Sequence, residues 1–226
     1  MININLYAYD LYYNALIRFK KGKTMHYPDF FDKVPSITLQ DPLSDVLGAF
    51  EAGEMEIKYL ECVKLAGHSC PTVAGAYLMA QQGLKALYGN NTPQRGSIEI
   101  SMRDSETDGV TGVICNVLSF ITGANGAGGF KGLNGKFARN GLVTYNADIQ
   151  SEVQLRRTDT GESITMHYDS SMIPGDPMMQ PLMGKTMQGL ATEEEKKQFG
   201  VLWQARVENI LLSEDLWDTM VTITKG

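Results

Sequence analysis

The chain has 226 residues, 26 acidic against 20 basic side chains, a net charge of −6 and 43% hydrophobic content. A chain of this size buries roughly 70% or more of its unfolded surface, so its core needs neither disulfides nor a structural metal, and any metal it holds is expected to be functional. The acidic balance and the lack of a basic stripe exclude a general nucleic-acid binder, and no apolar run is long enough to predict a membrane span.

The first segment sets Leu6, Tyr9, Tyr13, Leu16 and Ile17 at helical spacing. This predicts a Tyr-rich amphipathic helix, docked on its own domain or packed on a partner subunit. It has no basic start followed by an apolar stretch, and the three cysteines show no paired spacing, so a cytoplasmic protein is expected. Residues 27–42, punctuated by Pro and Asp, read as irregular. Residues 1–50 are thus expected to form a helical and irregular extension to a domain spanning 51–226.

Within that domain a helix is predicted over 54–66, with Ile57, Leu60 and Val63 on one face and Gly67 past its end. A second helix starts at Pro71 and buries Val73, Tyr77, Ala80, Leu84 and Leu87. Residues 97–103 alternate as a half-buried strand. The acidic turn Asp104-Ser105-Glu106-Thr107-Asp108 leads into a helix with a core stripe of Val110, Val113, Ile114, Val117, Leu118 and Ile121. A Gly-rich passage follows from Gly123. Then come a strand over 142–149, a hairpin of 153–157 and 164–168 turning at Asp159-Thr160-Gly161, and a last strand over 220–224. Between hairpin and last strand, the capping box Thr192 to Glu195 opens a long helix with Phe199, Trp203, Val207 and Ile210 inward. Helices and strands are partly segregated, which predicts an α+β fold: helices packed on a mixed, largely antiparallel sheet.

The turn His68-Ser69-Cys70-Pro71 carries the most chemistry. With Pro71 as the first helical residue, Cys70 takes the cap position, where unpaired N–H groups and the helix dipole favour a thiolate. His68, two residues earlier, can share a metal with Cys70 or act on it as a base. A thiolate with an imidazole favours zinc or iron over magnesium or calcium, and Cys-Pro pairs also occur where a thiolate ligates haem iron. At 100° per residue, Cys115 points about 120° away from the Val113, Ile114, Val117 stripe, beside Thr111 and Thr122. It therefore reads either as a cavity-facing third ligand or as a small residue at a helix contact. Other candidates for a third ligand are Asp104, Glu106, Asp108, Asn116, His26 and His167, while Cys62 reads as packing.

The Gly-rich loop is not a nucleotide motif: no G-x-G-x-x-G occurs, and the loop follows a helix where such motifs follow a strand. Its glycines suit a close backbone approach beside a site, with Lys131, Lys136 and Arg139 either attracting an anionic ligand or standing as solvated charges. Residues 170–190 hold five methionines among three prolines. They read as an adaptable lid, a subunit contact or gap-filling.

The run AGHSCPTVAGAYLM over residues 66–79 resembles the Gly-His-x-Cys-Pro turn of the FmdE family, which takes its name from formylmethanofuran dehydrogenase. DSETDGVTGVICNVLSFITGANGAGGFKGLNGKFARNG, over 104–141, resembles that family's acidic turn, helix ending in Thr-Gly, and Gly- and Lys-rich loop. The resemblance covers residues 60–149 well and the remainder loosely. It implies an α+β fold shared with the catalytic domain of glyceraldehyde-phosphate dehydrogenases, and a metal-binding His and Cys in the turn, here His68 and Cys70. Two features depart from the family. No Cys follows Cys115 to form the zinc ribbon that many members append, and the Cys that members often place early in the helix after the acidic turn is missing.

Two functions follow as expectations. One is a metal-binding protein, zinc first, with His68, Cys70 and Cys115 as ligands at a cleft, Glu106 or Asp108 as general base, and a small-molecule ligand near Lys131 and Lys136. The other is an accessory protein of a molybdenum or tungsten formylmethanofuran dehydrogenase, with haem binding through Cys70 a further alternative. A homodimer is expected from the Tyr-rich helix and the Met-rich stretch.

Overall fold

The structure is a computed structural model that describes residues 19–21 and 25–226. The Tyr-rich helix expected over the first 18 residues lies outside the described residues. The described residues form a five-stranded sheet, two small antiparallel pairs, the first of β1 Phe19–Lys21 with β2 His26–Pro28, and seven α-helices, an α+β fold.

The main sheet runs β6-β5-β7-β8-β9, with β5 Ile98–Met102, β6 Val143–Thr144, β7 Val153–Arg157, β8 Ser163–Tyr168 and β9 Val221–Lys225. Only β5 and β6 pair in parallel; the other three pairings are antiparallel. Alternation decides the faces. Ile98, Ile100, Met102, Val153, Leu155, Ile164 and Met166 point inward and are buried. On the outer face the Arg156 guanidinium donates to Glu99 at 2.8 Å, and His167 lies 3.2 Å from Glu152. The β7–β8 hairpin turns where expected, with Gly161 at φ +79. The strand expected over 142–149 shortens to two residues, because the chain leaves the sheet at Tyr145 and Asn146, the latter at φ +55.

The expected helix over 54–66 divides. Residues Glu54–Ile57 are strand β4, paired antiparallel with β3 Ile37–Gln40, and α2 spans Tyr59–Ala66. Glu61 Oε2 accepts from Lys58 N at 2.8 Å and starts that helix; Gly67 at φ +74 ends it. The expected boundary near residue 50 falls inside this hairpin connection, which holds the short helix α1 Pro42–Val46. Phe30, Phe31, Ile37 and Leu39 join the same core as the rest of the chain.

Helix α3, Pro71–Tyr88, lies across the inner sheet face and packs on α4 (Thr111–Thr122), α6 (Glu193–Leu212) and α2. From Val73 through Ala80 every residue is buried. The expected one-sided stripe is therefore enclosed on all sides over this stretch, and only beyond it does the helix show an exposed side chain, Lys85. Glycines set how close α3 comes to the sheet. A Cβ at Gly75 would overlap the Tyr168 ring, and one at Gly83 would meet Met166 Sδ at 2.8 Å. The Tyr168 ring lies in the notch at Gly75, and its hydroxyl donates to Pro71 O at 3.0 Å. The Met- and Pro-rich residues 170–190, read as a lid, a subunit contact or gap-filling, contain α5 Met179–Met187, which packs on α6. The capping box is present: Glu195 N donates to Thr192 Oγ1 and Thr192 N to Glu195 Oε2.

Gly75→Ala should lower stability by about 1–3 kcal/mol, because a rigid ring and helix backbone must move apart. Gly83→Ala should cost less, since the flexible Met166 thioether can turn away. Urea midpoints for the two variants check the order.

Candidate functional site

Cys70 caps α3 as expected: its extended backbone precedes Pro71, and its Sγ accepts from Val73 N at 3.4 Å. Cys70 is buried, while His68 is exposed just beyond the end of α2. The His68 Nδ1 bonds Ala66 O at 2.9 Å. A carbonyl oxygen can only accept, so this bond puts the ring proton on Nδ1 and leaves the Nε2 lone pair free.

The turn between them is held by three hydrogen bonds from two helices. Ser69 O accepts from Trp203 Nε1 at 2.9 Å and from Gln204 Nε2 at 3.1 Å, both on α6. Ser69 Oγ lies 2.9 Å from the hydroxyl of buried Tyr59 on α2. Burial pushes the Tyr59 phenol well above its ordinary value, so it stays a neutral hydrogen-bond partner. The residue pattern shows the turn but not these clamps, whose partners on α6 lie 134 and 135 residues away.

His68 lines a cleft of about 460 Å³ between the end of α2 and one face of α4. The α4 wall consists of Val113, Asn116, Val117 and Phe120, spaced i, i+3, i+4, i+7. Leu65 and Ala66 face it, and Arg95, Ser119 and Asn125 complete the lining. Asn125 belongs to the Gly-rich segment, which therefore borders the His68 cleft. Asn116, one of the candidate ligands, shares the cleft with His68.

Cys115 lies elsewhere. It is 1% exposed and part of the core, about 150° around α4 from the cleft wall. Cys115, expected beside a cavity, is packed like Ile114, Leu118 and Ile121 of the expected core stripe, whereas Val113 of that stripe lines the cleft. Its Sγ neighbours are Ser119 Oγ at 3.8 Å and Tyr145, and burial raises its pKa. Cys62 is fully buried, its thiol pushed up to about 12 mainly by burial. Among the described residues, no three His, Cys, Asp or Glu side chains come together as a metal donor set. His68 and Cys70 are thus two donors short of a closed zinc site and one short of an open one.

Asp108 lines a separate hollow at the start of α4 with Asp104 and Glu152, and exposed Glu106 packs its backbone carbonyl against Gly112. Neither lines the His68 cleft. Lys131 and Lys136 are exposed on the Gly-rich loop, which is pinned to itself by Arg139 N to Phe130 O and Leu133 N to Lys136 O. Arg139, grouped with them by sequence, is buried instead. Its Nη2 donates to Asp41 Oδ1 at 2.6 Å.

Asp41 is the hub of a charged cluster. It also accepts from Arg95 Nη1 at 2.9 Å and caps α1 through Leu43 N and Ser44 N. Burial alone would raise its pKa, but these donors and the two guanidinium charges outweigh it and hold the carboxyl below its ordinary value. Arg95 further donates Nε to Ile121 O at 3.1 Å and Nη2 to Phe120 O at 2.9 Å, satisfying the last turn of α4. Gly96 and Gly123, at φ +83 and +76, make room for the guanidiniums; a Cβ at Gly96 would overlap Arg139. No sequence signal pairs these residues, which lie 54 and 98 positions apart.

An α+β domain with a cleft beside a capped His-x-Cys-Pro turn is the class that this site defines. The chain matches the family model described as "FmdE, Molybdenum formylmethanofuran dehydrogenase operon" over residues 65–216, and it belongs to the FmdE family. No curated protein matches the sequence. Among the described residues no helix is long and apolar enough to cross a membrane.

Asp41→Asn should destabilise the protein by about 3–5 kcal/mol, by leaving the buried Arg139 and the partly exposed Arg95 without their counter-charge. Because the folded carboxyl titrates below its unfolded value, its stabilisation is present above about pH 4 and lost as pH falls through the folded value. Urea unfolding from pH 7 to pH 3 should show this acid loss in the parent protein and a flatter dependence in Asp41→Asn.

Proposed function

We propose that His68 and Cys70 bind one divalent transition metal, zinc first, at the edge of the cleft, and that the cleft receives a small-molecule ligand. The observation that carries this reading is the Ala66 carbonyl bond to His68 Nδ1. It fixes the tautomer that presents Nε2, as backbone acceptors commonly do for ligating histidines. The cap geometry of Cys70 and the clamps on Ser69 hold the second donor. A third protein donor is needed for an open zinc site, and Asn116 on the cleft wall is the candidate; a ligand atom or a second copy of the chain are the other sources.

Zinc would supply Lewis acidity and an activated water. The chain's own part is to orient the imidazole through Ala66, to shield the thiol beside Tyr59 and Ser69, and to offer an apolar wall that displaces water from a bound ligand. The second reading is an accessory protein of a formylmethanofuran dehydrogenase, supported by the description attached to the family. Its contact surface would be the exposed Met172, Met178, Met187 and Leu190, which also suit a homodimer.

Elemental analysis of the purified protein tests the metal. Cys70→Ser and His68→Ala should each lower metal content at least severalfold with the circular dichroism spectrum unchanged, whereas Cys62→Ser and Cys115→Ser should leave it intact. Stoichiometric metal in the His68→Ala, Cys70→Ser double variant would refute the site, and a Soret band would replace zinc with haem.

A further inference from the structure

The cleft has an electrostatic asymmetry that the metal does not explain. In a chain of net charge −6, its lining includes Arg95 and His68 and no carboxylate. Arg95 has five N–H donors, of which three are committed, to Ile121 O, Phe120 O and Asp41. Two guanidiniums, Arg95 and Arg139, share the single carboxylate of Asp41, so the cluster carries one positive charge in excess. The last carbonyls of α4 take up part of that charge. Yet Arg139 Nη1, buried against Gly96 and Gly123, has no hydrogen-bond partner, which shows the cluster to be richer in donors than in acceptors. Arg139 cannot relieve the excess outward, since it is enclosed. Arg95, with about a fifth of its side chain exposed, can.

We propose that the cleft binds a small organic oxyanion, a carboxylate or phosphate monoester, with Arg95 as its anion-binding residue. The ligand's apolar part lies along Val113, Val117 and Phe120. The volume of about 460 Å³ suits a small molecule rather than a bare ion. Guanidinium donors match the planar spacing of carboxylate and phosphate oxygens. Asn125 and Ser119 add polar atoms at the same end of α4 as Arg95, and His68 stands at the end of α2. This inference deepens the reading of the His68 cleft as the functional site and rests on it, but it requires no metal. It also moves the anion contact from Lys131 and Lys136, which do not line the cleft, to Arg95.

Calorimetric titration of the metal-stripped full chain with phenyl phosphate and with benzoate tests it, against benzyl alcohol and benzylamine as uncharged and cationic controls. At least one of the two anions should bind saturably, and benzyl alcohol and benzylamine at least tenfold more weakly. Arg95→Gln should weaken anion binding about tenfold or more, the scale of losing a charged hydrogen bond. Because Arg95 also holds α4, Asn125→Asp supplies an independent arm. It places a carboxylate in the cleft at an exposed position and should weaken binding by a similar factor. The Lys131→Gln, Lys136→Gln double variant should bind as the parent does. Failure of both anions to bind, equal binding of benzyl alcohol, or parent-like affinity in Asn125→Asp overturns the proposal. Elemental analysis of Cys70→Ser judges the metal separately, so the two readings can fail independently.

Discussion

The structure depends on the sharing of one buried carboxylate by two guanidiniums. Asp41 joins three pieces of chain: the turn after β3, the loop before β5 that carries Arg95 and is also bonded to Gln40 through its backbone, and the end of the Gly-rich segment that carries Arg139. Removing charges from water is costly, and mutual attraction offsets that cost only when the remaining donors also find acceptors. Here the carboxylate also accepts from two backbone N–H groups of α1 and Arg95 donates to the terminal carbonyls of α4, while Arg139 Nη1 is buried without an acceptor among the described residues. The cluster therefore fixes where α4 ends. That in turn fixes the cleft wall, because Phe120 and Val117 belong to its last two turns.

The same constraint explains the glycines. Gly96 and Gly123 adopt positive φ and leave the volume that the guanidiniums fill, while the Gly-rich segment folds back through backbone bonds so that Arg139 returns to Asp41. In the sequence these glycines mark close approach without saying to what. The answer is a pair of side chains, and no glycine motif encodes that.

What is legible in the sequence is local. The Cys70-Pro71 cap, the Thr192–Glu195 box and the β7–β8 turn each involve neighbours within a few residues, and each stands where the residue pattern puts it. Pattern and structure part where the partner is distant or burial is two-sided. Residues 54–57 carry helix-favouring Glu and Met, but β3 recruits them as a strand from across the α1 connection, and pairing overrides propensity. For α4 the apolar stripe is visible, but a helix that packs on α3 and β5 while also walling a cleft has two apolar sides. Periodicity picks Ile114, Val117, Leu118 and Ile121 correctly as core, but it also assigns the exposed Val110 and cleft-lining Val113 to the core and turns Cys115 toward a cavity, when the packed face extends round to it.

That two-sidedness bears on how the site can work. The Val113–Phe120 face spends apolar surface on a cleft, which a purely structural helix would bury. The opposite face anchors to the core through Ile114, Leu118 and Ile121, so the wall is rigid although one side is open. At one edge of the cleft stands His68, oriented by the end of α2. Arg95, oriented by the end of α4 and by Asp41, lies in the same lining. Both cleft-lining side chains, imidazole and guanidinium, are tied to the carbonyls that end a helix. Their positions thus follow from where the two helices stop, and Gly67 and Gly123, in the left-handed conformation, set those stops. A change at either glycine would therefore move a functional group without touching it, and the site's geometry is inherited from helix termination.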